Sequence, residues 1–431
     1  MSKPSNGGLR KIAIIGGSRI PFCRSNSIYA EQTNLDMLSA ALQGLVDRFA
    51  LDGQQMDEVV AGAVTSHSKD WNLAREALLS TSLSPLTPGI TLQQACGTSL
   101  QGALMIGAKI ASGQIECGIA AGSDTTSDPP ITFGRKFSQR LVKAGAARSA
   151  KQRLRAFKGF RPAELKPVLP ANGEPRTGLS MGQHCERMAR EWQIPRPEQD
   201  RLAMESHVKA NEAYDSGFFD PLVVPWGGVA RDNNIRGDSS MEKLGSLRTV
   251  FGKGQDATLT AGNSTPLTDG AAAVLLASED WAKARGLPVQ AYLTAGRTSA
   301  VDFVNDEGLL MAPTVAVAEM LQRTGLSLQD FDFYEIHEAF AAQVLCTLAA
   351  WESEAYCRDR LGLNEALGPI DRDKLNVRGS SLAVGHPFAA TGARILATLA
   401  QILEGAGSGR GLISVCTAGG MGVAAILERG E

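Results

Sequence analysis

Two segments far apart in the chain share one order: a strand pattern ends at a reactive side chain, and a helix of small residues follows. The first segment, residues 90–111, has Cys96 at its strand-to-helix junction. The second, residues 376–403, has His386 at the same place. Strands alternating with helices predict an α/β fold with a mostly parallel sheet, and the repeated order predicts two similar halves. Two unrelated α/β domains would give the same pattern.

The remaining patterns extend this division along the whole chain. Strands are predicted at 11–15, 58–64, 90–95, 118–121, 274–277, 289–295, 332–336 and 411–416, and further helices at 35–49 and 315–323. We expect residues 1–127 to form an N-terminal half that 255–285 completes, with the strand at 274–277 returning to its sheet. Residues 286–431 form the C-terminal half. Residues 128–254, rich in Gly and Pro interruptions, are expected to be an inserted loop domain for ligand, membrane or partner contacts.

The composition excludes several classes of protein. A formal charge of −2 over 431 residues gives no global electrostatic case for nucleic-acid binding. The seven cysteines are scattered without C-x-x-C pairs, which favours reduced thiols over a disulfide framework or a metal site. Residues 1–8 lack the apolar core of a secretory signal, and no apolar run is long enough to cross a bilayer. We therefore expect a cytoplasmic protein.

The first part of the insert is strongly basic. The following cations are opposed only by Glu164: Arg135, Lys136, Arg140, Lys143, Arg148, Lys151, Arg153, Arg155, Lys158, Arg161 and Lys166. Phe133, Phe137 and Leu141 give the same stretch an apolar side. The pattern fits attraction of an anionic ligand such as a nucleotide phosphate, or of a membrane surface, and it fits equally a solvated basic helix face.

Four clusters carry residue types suited to catalysis. Besides Cys96, these are His337-Glu338-Ala339-Phe340, Gly385-His386-Pro387 and the Gly-rich run 416–422, which begins with Cys416. Each lies at a predicted strand end, where α/β proteins place their sites. Taken singly, a cysteine in such a place is more often a packing residue and a histidine beside Pro more often a turn residue, and His337-Glu338 also fits a helix cap. Together they supply a nucleophile, a base, a second histidine and a second thiol, which is more than a Cys–His hydrolase needs.

These clusters, in this order, resemble the thiolase family over nearly the whole chain. The matching blocks are Cys96 with its helix, 262–264 through 269–272, the His337–Phe340 block, and Gly385-His386-Pro387 with the Cys416 turn. The resemblance implies a thiolase fold of two duplicated βαβαβαββ halves with buried central helices, plus an inserted loop domain. Within the family, the chain is most similar to the thiolase (beta) subunit of the fatty-acid β-oxidation trifunctional complex. This similarity comes from His337 where most thiolases have Asn, the basic insert, residues 232–236, and Phe388 after Gly385-His386-Pro387.

The resemblance implies an acetyl-CoA C-acyltransferase that cleaves 3-ketoacyl-CoA, with CoA as co-substrate and without a permanent cofactor or metal. Cys96 would be the nucleophile, His386 its base, and Cys416 the acid that protonates the acetyl-CoA enolate. The backbone N–H groups of Cys96 and Ala418 would hold one oxyanion, and His386 with a water positioned by His337 the other. Met181, Ser264, Thr265 and Phe340 are the implied CoA contacts.

The resemblance also implies partners and leaves alternatives. It implies a homodimer or higher oligomer, a complex with an enoyl-CoA hydratase/3-hydroxyacyl-CoA dehydrogenase subunit, and a possible peripheral membrane contact. One alternative is a biosynthetic acetoacetyl-CoA thiolase. Another is a non-catalytic acyl-CoA- or lipid-binding relative, against which the intact Cys96, His386 and Cys416 argue. The second thiol also disfavours a ketoacyl synthase.

Overall fold

The computed structural model describes residues 8–254 and 256–430. Residues 1–7, for which the sequence predicts no signal peptide, lie outside this range, as do residues 255 and 431. The strands are β1 (Ile12–Arg19), β2 (Cys23–Arg24), β3 (Glu58–Gly62), β4 (Gly89–Thr91), β5 (Cys117–Asp124), β6 (Thr132–Phe133), β7 (Pro167–Val168), β8 (Thr268–Ser278), β9 (Ala291–Ala300), β10 (Phe333–Ile336), β11 (Gly409–Thr417) and β12 (Met421–Arg429). The helices are α1 (Asn34–Phe49), α2 (Leu73–Leu79), α3 (Thr98–Ala111), α4 (Arg135–Gly145), α5 (Ala150–Ala156), α6 (Met181–Glu191), α7 (Arg196–Asp215), α8 (Met241–Gly245), α9 (Glu279–Ala284), α10 (Ala312–Thr324), α11 (Ala341–Glu352), α12 (Glu354–Asp359), α13 (Ser381–Val384) and α14 (Thr391–Ala406).

One large sheet runs through the described chain in the order β10-β11-β12-β9-β1-β8-β5-β3-β4, with β2 paired to β8. Only the pairs β3–β4, β3–β5 and β10–β11 are parallel; the other pairs of this sheet are antiparallel. The prediction of a mostly parallel sheet was therefore wrong, and the sheet is mixed. For one of these pairs the cause is local: β11 and β12 are joined by a three-residue turn, and a turn this short permits only an antiparallel pair.

Strand β8 returns to the sheet of the first half, as predicted for 274–277. It lies between β1 and β5 and is buried along all of its length. The two halves of the sheet meet where β1 pairs with β9, through only two residue pairs, Ala13 with Tyr292 and Ile14 with Ala291. The sheet is thus continuous between the two halves, but only these two residue pairs of the ladder join them.

Two helices, α3 and α14, are buried in the middle of the molecule, one from each half. Leu100 and Ile106 of α3 share a core with Leu396 and Leu399 of α14. The helices approach closely because their contact residues are small: a Cβ added to Gly392 would lie 2.4 Å from the backbone nitrogen of Leu100. This contact confirms the predicted buried central helices.

The segment 128–254 has two different parts. Helices α4 and α5 contain no buried residue, whereas α6 and α7 pack onto the core of the second half through residues such as Cys185 and Met188. A buried ion pair, from Arg19 Nη1 to Asp232 Oδ1 at 2.6 Å, ties the end of the segment to β1. The predicted domain borders remain a prediction. No helix in the described ranges is long and apolar enough to cross a membrane.

Candidate active site

Cys96 lies in a tight turn that ends the β4 segment and begins α3. The turn is set by Ala95, which has a left-handed φ of +46°, a conformation that is unfavourable for a residue with a side chain. Thr98 stabilises it: its Oγ1 accepts from the Gln94 N–H at 2.8 Å and donates to the Ala95 carbonyl at 2.7 Å. Cys96 is thereby held, 9% exposed, at the N-terminus of a buried helix.

His386 contacts Cys96 from the other half of the chain. Its Nε2 lies 3.1 Å from Cys96 Sγ, and its Nδ1 lies 2.5 Å from Thr391 Oγ1, at the start of α14. Gly385, with a φ of +101°, makes the turn that precedes it. The strand predicted before His386 was wrong, since residues 381–384 form helix α13. The structure therefore brings together the predicted nucleophile and base at hydrogen-bonding distance, with the second ring nitrogen held by a hydroxyl group.

The protonation states of this pair follow from burial. Burial lowers the pKa of His386 to about 3, with a contribution from the positive charge of Arg394. Burial also raises the pKa of the Cys96 thiol to about 12, while the N–H groups of Ala418 and of Cys96 itself act in the opposite direction. Without substrate, the site therefore holds a neutral thiol beside a neutral imidazole. Transfer of the Cys96 proton to His386 therefore requires a group that stabilises the charges it creates.

The β11–β12 turn forms the wall opposite His386. Cys416 is fully buried, and burial together with the neighbouring Cys96 raises its pKa. Gly419 and Gly420 have φ values of +78° and +68°, which fold the turn back over the site. The Gly419 N–H donates to Glu174 Oε1 at 2.9 Å, so a residue of the insert fixes this turn. Sequence reasoning did not identify Glu174, which carries no motif.

His337 stands beside His386, with ring centroids 4.2 Å apart. Its Nδ1 lies 2.8 Å from Ser381 Oγ, and its buried Nε2 has no hydrogen-bond partner within 8–254 and 256–430. Burial, His386 and Arg394 lower its pKa, which keeps the ring neutral. Donor atoms of Cys96, His337 and His386 all lie within 4.8 Å of one another. Their chemistry would suit a soft divalent ion, but the short Cys96–His386 contact is the one proton transfer requires.

Several buried polar residues around the site were not identified from the sequence. Asp124, at the end of β5, accepts from the backbone N–H of Ala389 at 2.8 Å, which fixes the turn after His386. Ser99 of α3 binds the same turn: its Oγ donates to the Ala389 carbonyl at 2.5 Å and accepts from the Ala393 N–H at 2.8 Å. Arg394 is the one cation of α14, a helix whose other buried residues are mostly small or apolar, and this signal was visible in the sequence.

The four predicted CoA contacts lie together at one side of this site. Ser264 and Phe340 form an antiparallel bridge, and the Thr265 N–H donates to the Ala339 carbonyl at 3.1 Å. Phe340 packs edge-on against Phe251, and Phe251 in turn covers Gly182, the neighbour of Met181 in α6. The buried Ser264 Oγ has no hydrogen-bond partner in the described chain.

Comparison with known proteins agrees with this geometry. The family description "Thiolase, N-terminal domain" matches residues 12–280, and "Thiolase, C-terminal domain" matches 287–429. The chain is 42% identical to a 3-ketoacyl-CoA thiolase of Shewanella baltica over 97% of both chains, and 40% identical to one of Yersinia pestis over the same share.

Two solved structures share the fold. Bacillus anthracis acetyl-CoA acetyltransferase matches with a TM-score of 0.81 at 28% identity, and human mitochondrial 3-ketoacyl-CoA thiolase with 0.80 at 26%. Each match covers 98% of this chain and 100% of the other. The two family domains, the full-length relatives and the assembled Cys–His–Cys site have one explanation: the chain belongs to the thiolase family.

Proposed function

We propose that the protein cleaves 3-ketoacyl-CoA with CoA, giving acetyl-CoA and an acyl-CoA shortened by two carbons, through an acyl-Cys96 intermediate. As a thiolase, the protein is an acyltransferase. The observation that carries the proposal is the 3.1 Å contact between Cys96 Sγ and His386 Nε2 beside a second buried thiol. The relatives named 3-ketoacyl-CoA thiolase support this substrate class.

The first half-reaction uses Cys96, His386 and Cys416. His386 Nε2 takes the Cys96 proton as the sulfur attacks the 3-keto carbon, so charge appears on the substrate oxygen instead of remaining on sulfur. The bond between C2 and C3 then breaks. Its electron pair leaves as the enolate of acetyl-CoA, and Cys416 supplies the proton that C2 needs. The imidazolium of His386 then returns its proton to the Cys416 thiolate, and neutral His386 takes the thiol proton of the incoming CoA. The CoA thiolate attacks the acyl-Cys96 thioester, the bond from the acyl carbon to Cys96 Sγ breaks, and Cys96 recovers its proton from His386 as the shortened acyl-CoA leaves.

Two oxyanions need donors during these steps. The N–H groups of Cys96 and Ala418 already interact with Cys96 Sγ. They would stabilise the first oxyanion, which forms at the former keto oxygen of the substrate. The second, on the enolate, would be held by His386 and a water bound to His337. Removing one such donor typically costs about 2.7–4 kcal/mol of barrier. The geometry of the Gly419-Gly420 turn is therefore part of the catalytic apparatus.

CoA itself would bind along Met181, Ser264, Thr265 and Phe340. The buried Ser264 hydroxyl, which has no hydrogen-bond partner among the described residues, and the apolar surface of Met181 and Phe340 suit pantetheine, which has amide groups on an aliphatic chain. The proposed steps use no permanently bound cofactor: CoA is a co-substrate that leaves as part of the shortened acyl-CoA.

The substrate assignment is tested by comparing long-chain 3-ketoacyl-CoA with acetoacetyl-CoA as substrates for CoA-dependent cleavage. We expect kcat/KM to be higher for a medium or long acyl chain. Activity confined to acetoacetyl-CoA would instead favour the biosynthetic alternative. Binding of acyl-CoA without turnover of either substrate would favour a non-catalytic relative.

We also propose a homodimer or higher oligomer. β4 ends the strand order and leaves an unpaired edge, and apolar side chains near it are exposed, with Trp71 at 89% and Leu86 at 72%. Open edges and apolar patches of this kind are normally covered by a partner.

The further complex with an enoyl-CoA hydratase/3-hydroxyacyl-CoA dehydrogenase subunit rests on the sequence resemblance. Seven free buried cysteines support a reducing, cytoplasmic location.

Helices α4 and α5 support a peripheral membrane contact. Val142 and Leu154 are 72% and 76% exposed on a surface otherwise rich in Lys and Arg, a combination that binds anionic lipid interfaces. We expect co-sedimentation with vesicles containing phosphatidylserine but not with pure phosphatidylcholine, and its loss in the double variant Val142→Ser, Leu154→Ser. Equal binding to both vesicle types, or unchanged binding of the variant, would contradict the proposal.

A further inference from the structure

A chain of buried contacts leads from Arg394 to His337. Arg394 Nη2 donates to Ser381 Oγ at 2.6 Å, and Ser381 Oγ lies 2.8 Å from His337 Nδ1. Arg394 is 3% exposed, and Ser381 and His337 are fully buried. Burial lowers the pKa of Arg394 to about 10, with Glu335 and Glu338 opposing the shift, so the guanidinium is charged at neutral pH.

The donors and acceptors available on Ser381 and Arg394 then determine which ring nitrogen of His337 carries the proton. The Ser381 hydroxyl has one hydrogen, and an arginine can only donate. Since Ser381 Oγ accepts from Arg394, its own hydrogen needs an acceptor, and the contact available to it among the described residues is His337 Nδ1. If Nδ1 carried the proton instead, the buried Ser381 hydrogen would have no partner, which is costly. A donating cation also makes the Ser381 O–H a stronger donor.

We propose that Arg394 and Ser381 are positioning residues that hold His337 as the Nε2–H tautomer, so that this N–H donates into the active site. The inference rests on the proposed function for its role in catalysis, but not for the tautomer itself. His337 Nε2 is buried and has no hydrogen-bond partner among the described residues. It is therefore a preformed donor for the water or oxyanion of the enolate step, and it does not act as a second base.

The tautomer can be read directly by 15N NMR of protein labelled at the histidine rings. The chain has five histidines, so the His337 signals are assigned by their absence in His337→Asn. We expect protonated Nε2 and unprotonated Nδ1 in the wild type at neutral pH. The reverse tautomer would overturn the proposal, whether or not the protein proves to be a thiolase.

A double-mutant cycle of Ser381 and His337, followed by kcat, tests the consequence of this tautomer for catalysis. Ser381→Ala should lower kcat for thiolysis by about tenfold with KM little changed, because the ring loses the contact that selects its tautomer. The amide introduced by His337→Asn carries N–H donors without any tautomer to select. Adding Ser381→Ala to His337→Asn should therefore lower kcat by less than about twofold.

Equal losses from Ser381→Ala in both backgrounds would show a merely structural role and would refute the inference. Ser381→Thr keeps the hydroxyl and should restore most of kcat. If the added methyl group disturbs folding, the NMR result on the unmodified protein still decides the question.

Discussion

Replacing Cys96 by serine will lower CoA-dependent cleavage of 3-ketoacyl-CoA by about a thousandfold or more. A hydroxyl is a much weaker acid than a thiol, and the neutral His386, whose pKa is lowered to about 3, is a weak base in the resting site. Loss of a nucleophile from a cooperating set removes nearly all of the covalent route. Thiolysis rates and the mass of the acylated protein measure the effect.

Cys357→Ser is the matched control. Cys357 is also fully buried, but it lies in α12, where its sulfur is 3.5 Å from the carbonyls of Ala350 and Trp351, which a serine hydroxyl can also contact. Activity should stay within about twofold. An acyl adduct that still forms in Cys96→Ser, at another residue, would show that the nucleophile has been assigned wrongly.

Replacing Cys416 by alanine will also lower cleavage by about a thousandfold, but for a different reason. The enolate of acetyl-CoA then leaves without an acid in place to protonate its C2. Transfer of a saturated acyl group from acyl-CoA to Cys96 breaks only the carbon–sulfur bond of the thioester, and the leaving CoA thiolate can take the proton that His386 removed from Cys96. It requires neither cleavage of a carbon–carbon bond nor the acid at Cys416. We therefore expect the Cys96 adduct to form from a saturated acyl-CoA at close to the wild-type rate.

Deuterium exchange separates the two roles further. Exchange of the acetyl-CoA methyl hydrogens in D2O should be lost in Cys416→Ala, because it requires the same proton transfer at C2. If cleavage is lost together with acyl loading, Cys416 serves the structure of the site. If methyl exchange persists, another group is the acid.

Much of the fold could be predicted from residue patterns, but strand direction could not. The small residues of α3 and α14 indicated two buried helices, and the repeated order indicated the duplication. The directions of β8, β9 and β12 depend on how the connections between strands run, and an apolar run such as 274–277 reads the same either way. The predicted strand 90–95 also ends early, at Thr91, because the turn at Ala95 takes over its last residues.

The reactive residues of the candidate site could be predicted, because the chemistry allows few residue types. The residues that support them could not, because their roles depend on three-dimensional packing. Cys96, His386, His337 and Cys416 stood out because few other side chains supply a nucleophile, a base or an acid. The single cations of the buried helices α3 and α14 were equally visible in the sequence, but their roles were ambiguous. Lys109 in α3 pairs with Glu58 at 2.6 Å, far from the chemistry, whereas Arg394 in α14 contacts the serine beside His337. Only the three-dimensional contacts distinguish these two cations.

The separation of Cys96 and His386 by 290 positions has a consequence during protein synthesis. A ribosome completes α3 long before it reaches α14, and the wall that carries Cys416 and Ala418 comes later still. A growing chain therefore carries Cys96 before the residues proposed as its base, its acid and its oxyanion donors are in place. Acyl-CoA in the cell would meet an ordinary thiol until the last strands dock. On the proposed mechanism, catalytic competence thus arises only after the last strands of the second half have docked.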